Sequence, residues 1–249
     1  LRPPADSPAA PLRHLLIDLD GTLLGIDMAV FSGPFVDLLE ASFSRLVPPG
    51  LCRRALNEGF KAVGESRDGV PLDLVFAGRF GEVAGLPPAR VGPLFDDFYR
   101  GPFAELRRLS RPLAGARPLL DLARSLGLGL VLATKPVFPI GAIAERIAWA
   151  GLAEGDFDLV TALGNMRACK PRAEYWREIL HRIGAGPEEC LMAGNDRRQD
   201  LSAADVGIPI FLVDEGFVVD DPRRTWTAGE SGTLADLAAR LASSGRRRG

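Results

Sequence analysis

Apolar runs that break off in polar residues set the rhythm of this chain. Leu15-Leu16-Ile17 reads as a buried parallel strand, continuous in apolar residues because both faces are covered. It stops at Asp18, and Leu19, Asp20, Gly21 and Thr22 follow. From about residue 25 to 111 the pattern turns helical and predicts no buried strand. Ser32 is expected to cap a helix running to Val47, with Phe35, Leu38, Leu39, Phe43 and Leu46 on one stripe. Pro48-Pro49-Gly50 is expected to end it. Further helices are predicted at about 51–63, 72–84 and 88–99. Gly101-Pro102 breaks the last, and a turn is expected over 103–109. Phe60, Phe76, Phe80, Phe95 and Phe98, with Phe35 and Phe43, read as the core of this stretch.

From Arg111-Pro112 onward strands and helices alternate. Helices are predicted at about 118–126, 139–150, 171–183, 199–206 and 234–241. Strands are predicted at about 128–133, 157–161, 190–193 and 209–213. Such alternation implies right-handed crossovers and a parallel sheet, hence an α/β fold. Gly127-Leu128-Gly129 precedes a strand instead of following one, so it is not a dinucleotide fingerprint.

Composition narrows the function classes. The chain has 249 residues, 47% hydrophobic and 25% charged, with a net charge of −2. That balance makes no electrostatic case for nucleic acid. No apolar run approaches the roughly 18 residues of a membrane span, and residues 1–13 lack the apolar core of a signal peptide. A cytoplasmic protein with reduced thiols is expected, because Cys52, Cys169 and Cys190 are scattered without metal or disulfide spacing. With only His14 and His181, a histidine-rich metal site is impossible. Arg246-Arg247-Arg248 reads as a frayed, solvated tail. The only lysines are Lys61, Lys135 and Lys170, and the last two each precede a proline. A compact ammonium suits a phosphate or carboxylate partner.

Four polar clusters follow strands or feed helices: Asp18/Asp20/Thr22, Thr134/Lys135, Lys170 and Asn195/Asp196/Asp200. In a parallel sheet all strand carboxyl ends lie along one edge, where ligands bind, so the clusters can converge. Asp18 and Asp20, two residues apart, point to the same side of an extended backbone. Two close carboxylates cannot both ionise cheaply. Such a pair offers a nucleophile and a proton carrier, or a seat for a hard cation. Taken alone, it also reads as a pair of turn residues.

In order and in residue type, these clusters resemble the four motifs of the haloacid dehalogenase superfamily, in its phosphatase branch. Asp18-x-Asp20-x-Thr22 matches the first motif, Thr134 at the end of an apolar strand the second, and Lys170 before a helix the third. Gly194-Asn195-Asp196 with Asp200 matches the acidic fourth. The resemblance implies a Rossmann-like parallel-sheet core over residues 12–24 and 112–249, an all-helical cap over 25–111, and a loose leader over 1–11. It also implies a phosphatase for a small phosphorylated metabolite, dependent on Mg²⁺. Asp18 would attack phosphorus and Asp20 would serve as acid and base. Thr134, Lys135 and Lys170 would bind the phosphoryl group. The metal would be held by Asp18, the Asp20 carbonyl and Asp196, with Asn195 and Asp200 in or just outside the ligand set. The chain departs from the family at Lys135, where asparagine is frequent, and at Asn195, the first acidic position. A dehalogenase is disfavoured, because a halide leaves without the proton that Asp20 would supply. A phosphomutase on the same fold, or a phosphate- or Mg²⁺-binding regulatory protein with impaired turnover, are the alternatives. Arg45, Arg53, Arg54 and Arg79 in the helical stretch are of a type to read a second anionic group, and solvated helix faces are the competing reading.

Overall fold

Eight strands and eight α-helices make up the computed structural model, which describes residues 11–221 and 229–245. The leader, apart from its last residue, and the terminal arginines lie outside the described residues. In chain order, β1 (His14–Ile17) and β2 (Leu24–Ile26) lead into α1 (Met28–Phe43), α2 (Pro49–Glu65), α3 (Leu72–Ala84) and α4 (Pro88–Arg100). A 3₁₀-helix (Pro102–Leu109) and β3 (Ser110–Pro112) close that excursion. There follow α5 (Ala116–Ser125), β4 (Gly129–Leu132), α6 (Ile140–Trp149), β5 (Leu159–Val160) and α7 (Ala173–Ile183). The described residues close with β6 (Cys190–Gly194), a 3₁₀-helix (Asp200–Val206), β7 (Ile210–Val213), β8 (Glu230–Gly232) and α8 (Leu234–Gly245).

The first apolar run sits at the heart of a six-stranded sheet in the order β5-β4-β1-β6-β7-β8. Every pairing in it is parallel. Leu15, Leu16 and Ile17 are fully buried, as a strand covered on both faces requires. The register aligns Ile17 with Leu132 on one side and Ala193 on the other. Asp18, Thr134 and Asn195 therefore leave the sheet along the same edge.

Between β2 and β3 the structure is helical and aromatic. Phe95 meets Phe43, Phe76 and Phe80 edge-on at centroid separations of 5.1–5.2 Å. Phe103 stacks on Trp149 of α6 at 5.1 Å, which joins this layer to the sheet core. Of the seven phenylalanines expected in the core, six are buried and Phe60 is half-buried against it.

Several expectations are corrected. Asp27, not Ser32, caps the first helix: its carboxylate accepts the Ala29 N–H at 2.8 Å. Starting there brings Phe31 into the core, while Ser32 lies inside the helix and bonds back to the Met28 carbonyl. Pro48-Pro49-Gly50 opens α2 instead of ending α1, because a proline at the first helical position lacks an N–H that would be unpaired anyway. The stretch 25–111 is not free of strand: β2 and β3 pair antiparallel and bring its two ends together. Their three-residue length, with Gly25 and Pro112 inside, leaves no periodicity to read. The segment after β6 is a 3₁₀-helix, and β8 was not expected, since Glu230-Ser231-Gly232 has no apolar pattern.

Candidate active site

The edge of the sheet opens into a cavity of about 440 Å³. Asp18, Asp20, Thr134, Lys135, Lys170, Asn195, Asp196 and Asp200 all line it. Every residue singled out from the four motif clusters for catalysis, phosphate or metal thus reaches one place. Thr22 does not line it. It is buried beneath and donates to Asn195 Oδ1 at 3.0 Å. Of Arg45, Arg53, Arg54 and Arg79, none lines the cavity; Arg53 pairs with Asp37 and Glu40, and Arg79 with Glu58 and Glu82.

Lys170 lies at the centre of the polar network. Its Nζ donates to Asp18 Oδ1 at 3.1 Å and to Asp200 Oδ1 at 2.5 Å. The ammonium also lies over the rings of Trp176 and Tyr175, 5.3 and 5.9 Å from their centroids. Burial lowers its pKa, but Asp18 and Asp200 outweigh burial and hold it above the ordinary lysine value. Asp18 is pushed up to about 8, chiefly by burial, with Asp200 and Asp20 adding and Lys170 opposing. The carboxylates of Asp18, Asp20, Asp196 and Asp200 outnumber the cations buried beside them, Lys170 and Arg146.

The fourth cluster is a tight knot. Asp200 Oδ2 accepts the Asp196 N–H at 3.0 Å, so both its oxygens are engaged. Asp196 Oδ1 accepts the N–H groups of Arg198 and Gln199, and burial raises its pKa. Asn195 uses both ends of its amide, receiving Thr22 and donating to the Phe217 carbonyl at 2.6 Å. Thr134 is held through its own carbonyl, which accepts from Thr161 Oγ1 and Tyr175 Oη, both at 2.8 Å. Thr134 itself lines the cavity.

A model of the haloacid dehalogenase-like hydrolase family matches residues 12–206. The chain belongs to that family. It is a hydrolase by that membership, with an α/β fold around a parallel sheet. It is 26% identical over 211 residues to a phosphoglycolate phosphatase of Agrobacterium fabrum, covering 84% of this chain and 83% of that one. It is 23% identical over 202 residues to the pyrophosphatase PpaX of Halalkalibacterium halodurans, covering 81% and 83%. Among solved structures, a haloacid dehalogenase phosphatase of Thermococcus onnurineus superposes with a TM-score of 0.58 at 20% identity, covering 92% of this chain and 98% of that one.

The donor set fits a hard divalent cation. Among the described residues no three acidic, histidine or cysteine side chains are grouped so that together they could hold a metal ion. A magnesium ion needs no such group, since one or two carboxylates with other oxygens and waters suffice. Asp18, Asp20 and Asp196 offer oxygens only, the donor type that such an ion prefers.

Sequence reasoning missed Arg146. Its side chain is fully buried and its Nη1 is hydrogen-bonded to Asp20 Oδ2. In the sequence it is one more arginine on an amphipathic helix. The available signal was that Ala142, Ile143, Ile147 and Trp149 place it within the buried stripe of α6.

Proposed function

We propose that this hydrolase is a Mg²⁺-dependent phosphatase that releases inorganic phosphate from a small phosphate monoester through an aspartyl-phosphate on Asp18. The carrying observation is that Asp18, paired with a buried ammonium, shares one cavity with Asp20 and Thr134. The phosphatase names of the two relatives support the reading.

In this mechanism an Asp18 oxygen attacks phosphorus as the bond to the leaving oxygen breaks. Asp20 gives that oxygen its proton, then takes one from the water that cleaves the acyl phosphate. Lys170 and the Thr134 hydroxyl hold phosphoryl oxygens, with the exposed Lys135 as a further cation at the cavity wall. Asp200 keeps Lys170 in place. Asp18, the Asp20 main-chain carbonyl and Asp196 would hold the magnesium ion, with Asn195 Oδ1 as a neighbouring acceptor. The bound ion supplies charge neutralisation to the phosphoryl oxygens. Helices α1–α4 act as a cap: Met28 and Ala29, in the first turn of α1, already form part of the cavity wall.

The test is phosphate release from an aryl phosphate with and without Mg²⁺. Metal-dependent release that Asp18→Asn abolishes is expected. No metal-dependent release, or an Asp18→Asn protein indistinguishable from wild type, rejects the reading. Isomerisation of a sugar phosphate without net phosphate release would replace it with a mutase.

A further inference from the structure

Arg146 has no role in the mechanism above, yet an arginine is almost never fully buried unless its charge is paired. Its Nη1 is bonded to Asp20 Oδ2, and its Nε lies 3.4 Å from the Ala142 carbonyl. The guanidinium lies over Phe138, with Cζ 4.2 Å from the ring centroid. Phe138 is itself wedged against Phe35, Phe60 and Tyr99 at 5.5, 6.2 and 6.3 Å. The arginine is therefore fixed from behind by the aromatic layer of the helical insert. It reaches only one oxygen of Asp20. Among the described residues the other, Oδ1, is buried without a hydrogen-bond partner, as is Arg146 Nη2. Asp20 lines the cavity. Orphaned buried polar atoms are rare in folded proteins and call for an explanation.

We infer that Arg146 is a positioning residue for Asp20: it grips Oδ2 and so fixes the orientation of the carboxyl group that exchanges the proton with the leaving oxygen. This rests on the proposed phosphatase mechanism. Stability alone gives no reason for the pair, since buried ion pairs are commonly replaced by apolar residues without loss. A carboxylate free to rotate would present either oxygen in many orientations, and proton transfer demands hydrogen-bond geometry at the reacting atom. A planar guanidinium packed over an aromatic ring restricts that rotation better than a flexible ammonium could.

The experiment compares two substrates that differ in their need for a proton. An aryloxide of low basicity departs unaided, whereas an alkoxide must be protonated as it leaves. The quantity read is kcat/KM, which covers the chemistry up to leaving-group departure. In Arg146→Gln, with Mg²⁺ present, kcat/KM on a simple alkyl phosphate is expected to fall about 10- to 100-fold, a share of what general acid catalysis contributes. On p-nitrophenyl phosphate it is expected to fall by less than about threefold, since little proton transfer is needed there. In an Asp20→Asn background the same substitution should add nothing, because its partner is already disabled. Equal losses on both esters, or a full additional loss in the Asp20→Asn background, overturn the assignment. Circular dichroism and thermal melting check that the variants fold. If Arg146→Gln does not, Arg146→Lys keeps the buried charge and should show the same substrate-selective loss at smaller amplitude; equal losses in it overturn the inference too. Wild-type protein that hydrolyses neither ester rejects the phosphatase reading itself. Active wild type with unselective losses rejects only the role given to Arg146.

Discussion

At Gly21 the backbone takes a φ of +83°, and a Cβ there would fall 2.2 Å from Asn195 Nδ2. Both facts demand glycine: the turn that follows Asp20 is left-handed, and the fourth cluster packs directly on it. Gly194 is held to the same size for a different reason, since a Cβ there would meet Asp200 Oδ2 at 2.2 Å. That oxygen belongs to the carboxylate that braces Lys170, so two glycines set how closely the clusters approach. At the same scale, Asn195 and Asp196 separate by their hydrogen bonds. Asn195 has both amide ends engaged within the protein, whereas Asp196 commits Oδ1 to a turn and lines the cavity. Asp196→Asn keeps the turn's acceptor and removes the charge. It is expected to raise the Mg²⁺ concentration needed for half-maximal phosphate release by about 10-fold or more, the scale of lost ligand-set interactions. A magnesium titration of activity checks this, and an unchanged midpoint removes Asp196 from the ligand set.

Among the secondary-structure elements, the helices between β2 and β3 gain stability from aromatic packing more than from intrinsic propensity. Phe103, in the 3₁₀-helix before β3, is fully buried and touches four rings besides Trp149: Phe31, Phe35, Phe98 and Tyr99. It binds α1 and α4 to α6. Phe103→Ala would leave a cavity at that junction and is expected to cost about 3–5 kcal/mol of unfolding free energy. Denaturant unfolding measures it, and a loss below about 1 kcal/mol, the scale of an ordinary surface substitution, would show that the junction collapses freely. The same junction supports Phe138 and through it Arg146, so the packing of the insert reaches Asp20.

Across the whole molecule, stability depends on pH through pairs that tie the layers together. Arg117 on α5 makes two hydrogen bonds, of 2.9 and 2.6 Å, to Asp156 in the turn before β5. Those bonds hold the Asp156 carboxyl below its ordinary value. A carboxyl lowered on folding binds fewer protons in the folded state, so its stabilisation is complete above about pH 4 and fades as pH falls through the lowered value. Both partners are partly exposed, so the pair is worth only about 0.5–1 kcal/mol. Arg117→Ala should therefore lower stability by that amount at pH 7, with the difference shrinking steadily below pH 4. Denaturant midpoints across pH test it, and a difference that grows in acid would contradict it.

What the sequence determined by itself is the α/β alternation after residue 111, the aromatic core of the helical stretch, and the four clusters whose types and order resemble one family. Apolar periodicity and residue type are local properties, and they survive without coordinates. Helix 72–84 was legible to the residue for that reason. The pairing of β2 with β3, the cap at Asp27, and the strand β8 were not, because each depends on partners far away or on too few residues to carry a pattern. The least legible feature was Arg146: nothing near it in the chain says that its guanidinium meets Asp20. Only the parallel register, which carries Asp18, Thr134 and Asn195 to one edge, and the packing of Phe138 under an arginine decide which charges face one another. Those choices are made by long-range contacts, and no local pattern encodes them.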